Sequence, residues 1–381
     1  MAQRVKTDWT LFWTIVCMVC FGLVMVYSSS SVMAELKYKS STHFIVRQLG
    51  WAAISFFVLM YCKRRDYRAL RSPKMAFGAL GIVLALLIVV YFADPHTHRW
   101  FRSPAGSIQH SEFAKPALII FLAYFMVSRT QETVNNRYTI LQGALSLVIL
   151  AVAVALPDLG TAIVLVLTAG TVFFVAGLQW RYVLSALGIL ILLAGAAVIS
   201  KPYRLARVVS MVDPEFAYLD AIDPGGKVKS YINQSETTRD PSYQPRQSRI
   251  AVGSGGFLGL GLMESKQKWL FLPEAHTDYI YAIVGEELGF FGCTAVLGGF
   301  LIILWRGLRL YWTAPDDFGR YVALGVTASI VTQAMINMSV VLGMGPTKGI
   351  PLPMISSGGS SLLSTLMCLG LLLSVSEQSS S

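Results

Sequence analysis

Charge is scarce in this chain. Of its 381 residues only 14% are Asp, Glu, Lys or Arg, against roughly 25% in an average soluble domain. A surface built from so few charges excludes a soluble enzyme. The 54% share of hydrophobic residues and a mean hydropathy of +0.58 exclude a disordered chain. Histidine and cysteine are also sparse, with five of each. Cys17, Cys20, Cys62, Cys293 and Cys368 all fall within or at the ends of apolar runs, and an odd number so placed is no disulfide framework. Cys17 and Cys20 have CxxC spacing, but on a lipid-embedded helix that spacing is not read as a redox or metal site. No cleavable leader is expected, because the first apolar run lacks a small-residue cleavage site and is long enough to span.

What the chain does have is a succession of long apolar runs. A helix needs about 20 apolar residues to cross about 30 Å of hydrocarbon. The sequence predicts ten such spans, near 10–30, 44–62, 75–93, 112–128, 139–156, 161–177, 182–199, 279–304, 320–343 and 357–375. The expected fold is an all-α polytopic membrane protein, one integral membrane domain over residues 1–381, because each span must satisfy its own backbone hydrogen bonds in lipid. With the N-terminus inside, fourteen Lys and Arg, from Arg4 to Arg320, fall on the cytoplasmic pieces, and six, Lys37, Lys39, Arg99, Arg102, Lys115 and Lys348, on the short outer connections and adjacent helix ends. Both termini are therefore expected in the cytoplasm. Residues 63–74 carry the densest basic run and read as a solvated loop that sets the orientation. One connection differs: residues 200–278 form a long extracytoplasmic loop between the seventh and eighth spans. The net charge of +10 reflects basic loops and attraction to anionic lipid or phosphate, and not nucleic acid.

Ionisable groups near the membrane are candidates for function. In this topology Glu112 and Lys115 open the fourth span, Asp158 ends the fifth, and Asp278 opens the eighth, all at the outer end. Arg47 and Lys348 lie at that end too. Glu112 and Lys115 are three apart and can share a helix face. An ion-pair network holding helix ends is the plain alternative, and Asp278 alone could be a helix N-cap with His276 or Thr277 as neighbour. Glu286 and Glu287 sit roughly 12–13 Å deeper. They pair with polar groups such as Gln333 and Asn337 on another span, or they form a proton relay. The glycines between Gly253 and Gly261 make either a phosphate-binding nest or a hinge or re-entrant turn. Residues 345–361, with three prolines, cannot be helical throughout and are expected to line the same outer cavity. His96 and His98, in H-x-H spacing, read as an exposed loop and not a metal site.

These residues also carry a resemblance. Pro273-Glu274-Ala275-His276-Thr277-Asp278 with Gly285-Glu286-Glu287-Leu288-Gly289 resembles the FtsW/RodA/SpoVE (SEDS) family. So do Pro346-Thr347-Lys348-Gly349-Ile350-Pro351-Leu352-Pro353, Ser356-Ser357-Gly358-Gly359-Ser360-Ser361, Ser111-Glu112-Phe113-Ala114-Lys115, Pro157-Asp158-Leu159-Gly160-Thr161 and Pro202-Tyr203-Arg204. The motifs keep the family's order over nearly the whole chain and favour its division branch over its elongation branch. His110, Leu156 and Ser357 depart from the family pattern.

The resemblance implies a ten-helix peptidoglycan glycosyltransferase of the bacterial cytoplasmic (inner) membrane. Such an enzyme polymerises lipid II into glycan strands at the outer face during septal synthesis. It implies a class B penicillin-binding protein as crosslinking partner, alongside other division proteins. Asp278 is carried over as the essential catalytic carboxylate, with Glu112, Lys115 and Asp158 as pocket residues beside His276. The chemistry suits these groups: a carboxylate can take the proton of the acceptor hydroxyl. The departing diphosphate needs charge stabilisation, for which Arg47, Arg204, Arg207 and Lys348 are candidates. Alternatively Asp278 holds a divalent cation, Mg or Mn. Two other functions compete: a flippase for the lipid-linked precursor, with Glu286 and Glu287 as coupling groups, and a non-catalytic division scaffold.

Overall fold

The computed structural model describes residues 7–94, 100–103, 106–128, 137–182, 243–345 and 349–379, with five isolated positions between 183 and 205. The helices in chain order are α1 (Trp9–Tyr38), α2 (His43–Arg64) and α3 (Pro73–Ala93), then α4 (Ala114–Val127), α5 (Arg137–Ala155) and α6 (Leu159–Val175). They continue with α7 (Tyr243–Ser254), α8 (Ile280–Thr313), α9 (Asp317–Val341) and α10 (Gly359–Gln378). A short hairpin pairs β1 (Trp100–Ser103) antiparallel with β2 (Gly106–Gln109), Trp100 facing Gln109.

Seven of the described helices are long and apolar enough to cross a membrane: α1, α2, α3, α4 with its leading turn (His110–Val127), α8, α9 and α10. The shorter apolar helices Leu141–Ala155 and Leu159–Val175 coincide with two further expected spans. The expected span 182–199 falls outside the described residues apart from isolated positions. Large apolar side chains such as Phe57, Phe92 and Trp312 point outward, where lipid tails receive them as readily as protein would. The interior holds serines, among them Ser28, Ser29 and Ser30, which let helices approach closely.

The two chain ends meet. Thr7 Oγ1 donates to Glu377 at 2.9 Å and Asp8 N to Ser376 Oγ at 3.2 Å. At this end three ion pairs join helices distant in sequence: Arg306 to Asp8 at 2.6 Å, Lys63 to Glu377 at 3.2 Å and Arg68 to Asp316 at 2.8 Å. Asp8 and Asp316 are also the N-caps of α1 and α9, accepting from Leu11 N and Gly319 N. Each carboxylate thus satisfies a helix dipole and a cation at once. Residues 63–74 are therefore not simply a solvated loop, since Lys63 and Arg68 fasten it to α10 and α9. Tyr67 donates to Asp316 at 3.0 Å, and burial, reinforced by that carboxylate, pushes its phenol well above the ordinary tyrosine range.

α8 is broken at Gly289 (φ 64°, ψ −156°). The break frees backbone groups inside a helix that is otherwise apolar, and the segment after α7 satisfies them. Leu260 N and Gly261 N donate to the carbonyls of Glu286 (2.9 Å) and Glu287 (3.0 Å), while Phe290 N donates to Gly256 O at 2.9 Å. The backbones touch: a Cβ on Gly259 (φ 84°) would stand 2.1 Å from Glu287 O. Of the two readings of the glycine run, the structure selects the turn, since these amides are spent on α8. Residues 256–261 lie beside the interior of α8, so the latter part of the 200–278 connection is not a plain aqueous loop.

Gly259→Ala should lower the melting temperature of the purified protein, at a cost of about 1–3 kcal/mol, because backbone on both sides must move. A variant melting with the wild type would show that the segment does not pack as described.

Candidate active site at the other end of the bundle

The leading ends of α4, α6, α8 and α10 and the trailing end of α9 come together at the end opposite the ion pairs. Asp278 reaches this place on a tight turn. Glu274 adopts a left-handed backbone (φ 56°), and its carbonyl accepts from Thr277 N, Asp278 N and Tyr279 N at 3.2–3.4 Å. Non-glycine residues hold such a conformation at some cost, usually where function requires it. Asp278 is not the N-cap of α8: the cap position is Tyr279, with no side-chain cap. The Asp278 side chain is partly exposed and lies against the 349–356 loop, where a Cβ on Gly349 would stand 2.6 Å from Asp278 Oδ2. That loop is non-helical as expected, held by Leu352 N to Ser356 Oγ at 2.8 Å and turned at Met354 (φ 66°).

Glu112 and Lys115 form a buried ion pair at 2.6 Å, three residues apart as the spacing predicts. Lys115 also donates to Gln333 Oε1 at 2.7 Å, and Gln333 Nε2 donates to Pro351 O at 2.8 Å. One turn on, Asn337 Nδ2 donates to Asp278 O at 2.8 Å and Ile350 O at 2.7 Å. A polar chain therefore runs Glu112–Lys115–Gln333–loop–Asn337–Asp278 through apolar helices. Low dielectric makes each of its links expensive to break. Ser364 Oγ, from α10, donates to Glu112 O at 2.7 Å and closes the end.

Asp158 has a structural duty at the same end. It caps α6, accepting from Thr161 N (3.2 Å) and Thr161 Oγ1 (2.7 Å), and it accepts from Gln109 Nε2 at 2.6 Å. Gln109 N donates in turn to Ser360 Oγ at 3.2 Å, tying the hairpin to α10. His276 is buried against the Phe44 ring at 4.7 Å, and its carbonyl accepts from Ser357 N at 2.9 Å. Burial, with Lys37 acting the same way and Glu274 opposing, holds His276 below the ordinary histidine range, hence neutral. Arg47 is exposed on the first turn of α2, whose Gln48 accepts from Gly358 N at 3.3 Å. Arg204, Arg207, Lys348, His96 and His98 lie outside the described residues.

Glu286 and Glu287 are buried, but not with Gln333 and Asn337 as expected. Glu286 accepts from Ser265 Oγ (2.5 Å) and Lys266 N (2.9 Å). Glu287 accepts from Ser28 Oγ at 2.6 Å and pairs with Lys268 at 3.4 Å. Ser28 lies on another span, α1, as the pairing reading expected of a partner, but Ser265, Lys266 and Lys268 come from the segment returning from the glycine turn, which span-to-span reasoning could not place. Sequence reading likewise missed Gln109 and the true targets of Gln333 and Asn337. The usable signal was their i, i+4 spacing, which puts both amides on one face of α9.

The FtsW/RodA/SpoVE family, described as "Cell cycle protein", matches residues 9–381. The chain belongs to that family. It is 37% identical over 379 residues to a protein of Geobacter metallireducens named "Probable peptidoglycan glycosyltransferase FtsW", covering 98% of this chain and 95% of that one. It is 38% identical to the "Stage V sporulation protein E" of Bacillus subtilis, covering 99% of each. A solved structure described as "Structural coordination of polymerization and crosslinking by a peptidoglycan synthase complex" superposes with a TM-score of 0.74 at 26% identity, over 97% of this chain and 98% of that one. The rod shape determining protein RodA of Thermus thermophilus superposes with a TM-score of 0.68 at 24% identity, over 97% of each chain, and shows the shared fold. This member of the family is a multi-pass membrane glycosyltransferase of cell-wall synthesis.

A buried neutral histidine gains its proton first in the unfolded state, so its stabilisation is present above about pH 6.5 and is lost as the pH falls below it. Between about pH 7 and 5 the melting temperature of the wild type should fall more steeply than that of His276→Asn. Parallel curves would show that His276 titrates normally.

Proposed function

We propose that this chain polymerises lipid II into glycan strands at the outer face of the bacterial cytoplasmic membrane during cell division, with Asp278 as the catalytic carboxylate. The observation that carries this reading is the placement of Asp278. It stands partly exposed on a strained turn, released from capping α8, at the end where Glu112, Lys115 and Asp158 also converge. The buried ion pair and the cap hold their helices in place around the turn that presents Asp278.

The acceptor is a sugar hydroxyl, a weak nucleophile at neutral pH. Asp278 takes its proton as the new glycosidic bond forms, a contribution of typically about 10²–10⁴-fold. The diphosphate departs with its electron pair and needs positive charge, for which Arg47, Arg204, Arg207 and Lys348 remain the proposed groups. Among the described residues no three His, Cys, Asp or Glu side chains gather as a metal cage. A Mg or Mn ion would therefore be held by Asp278 together with substrate phosphates, which is a usual mode for Mg²⁺. Such an ion would supply charge to the leaving group. The flippase reading loses support, because Glu286 and Glu287 are taken up by Ser28, Ser265 and Lys268. A class B penicillin-binding protein transpeptidase is the proposed crosslinking partner, with other division proteins assembled around the pair.

Polymerisation of purified lipid II by the chain with its cognate transpeptidase tests the reading. Asp278→Asn and Asp278→Ala should yield no glycan while inserting and folding as the wild type does. Strand synthesis by a folded Asp278→Asn protein would remove Asp278 from the chemistry. Gly349→Ala should fold, because the atom it meets is the end of the Asp278 side chain, yet it should polymerise about ten-fold or more slowly by displacing that carboxylate. A wild-type rate would mean that the position of Asp278 against this loop is unimportant.

A further inference from the structure

The backbone of Asp278 is held from outside its own helix. In a helix continuing through residue 278, the N–H of Ala282 would bond to the Asp278 carbonyl; here it bonds to Tyr279 O at 2.9 Å. The Asp278 carbonyl, freed in this way, accepts from Asn337 Nδ2 at 2.8 Å, and the same nitrogen donates to Ile350 O at 2.7 Å. Asn337 is 2% exposed, and its Oδ1 is buried with no hydrogen-bond partner among the described residues. The side chain is thus used as a donor, with both protons aimed at carbonyls. Ile350 follows Gly349, the residue against which the Asp278 carboxylate rests. One amide nitrogen therefore sets the spacing between the turn that carries the carboxylate and the loop that limits its position.

We propose that Asn337 is a positioning residue for the glycosyl transfer, acting through Asp278. The proposal rests on the reading of Asp278 as the catalytic carboxylate. Gln333, one turn away on α9, makes the corresponding link from Lys115 to Pro351 O, so the 349–356 loop is held to α9 at two successive carbonyls. A donor that fixes a reacting group without touching the substrate affects the rate of the chemical step more than binding, since small misplacements are costly at a near-attack geometry.

The test uses the full chain reconstituted with its transpeptidase partner and lipid II as the varied substrate. Asn337→Ala should lower kcat about 10- to 100-fold, with KM within about two-fold. If Asn337→Ala does not accumulate, Asn337→Asp, of the same size but lacking the paired donors, is read in its place. The double variant Asn337→Ala with Gly349→Ala should be little slower than the slower single variant, because both displace one carboxylate. An unchanged kcat in a folded Asn337 variant overturns the proposal. So does a loss shared by kcat, KM and melting temperature, which would mark a simple strut, or fully multiplicative losses in the double variant. Asp278→Asn is run alongside: if it polymerises normally, the reading of Asp278 is what fails, whatever the Asn337 variants do.

Discussion

A backbone amide or carbonyl left unpaired at membrane depth costs several kcal/mol, and much of this structure follows from one place where a helix exposes such groups. α8 breaks at Gly289. The amides and carbonyls it releases are taken up by the glycine turn at residues 256–261, which approaches α8 so closely at Gly259 that a Cβ there would stand 2.1 Å from Glu287 O. Once that turn is fixed, the segment returning from it brings Ser265, Lys266 and Lys268 to Glu286 and Glu287. Two carboxylates that would otherwise be intolerable inside the span become part of its packing. The same segment leads directly into the turn at Glu274 and so to Asp278.

The two ends of the bundle use charge differently. At the end where the termini meet, carboxylates and cations pair across helix ends in positions that range from buried (Asp8) to exposed (Arg68), with Asp8 and Asp316 doubling as N-caps. At the other end the pairing is buried and extended by amides, from Glu112 through Lys115 and Gln333 to the 349–356 loop. Such a network does not add stability simply by existing, because desolvation offsets much of its attraction. What it supplies is a defined geometry around the turn and the loop between which Asp278 lies.

The spans were legible because apolar length and hydrogen-bond closure leave few alternatives: α1, α2, α3 and α10 begin and end within a few residues of expectation, apart from the extra turns closing α1 and α8. The Glu112–Lys115 pair was legible from spacing on one helix. The convergence of Glu112, Lys115, Asp158 and Asp278 on one end followed from counting helix ends. Apart from Ser28 on α1, the partners of Glu286 and Glu287 were not legible, because they belong to a segment that folds back along α8, and no periodicity signals such a return. Lys63 and Arg68 read as solvated for the same reason: their partners Glu377 and Asp316 are more than two hundred residues away.

The amino-acid sequence by itself determined that this is a helical membrane protein of the FtsW/RodA/SpoVE family. It also determined which carboxylates open its helices at one end, since hydropathy, charge asymmetry and motif order are local properties of the chain. Tertiary structure alone decided the remaining partners there: Asp158 receives Gln109, Lys115 reaches Gln333, Glu286 and Glu287 secure a turn, and Asn337 holds the Asp278 carbonyl. The reason is physical. A buried polar group is defined by the partner that satisfies it, and in this protein those partners come from distant segments that meet only when the helices pack.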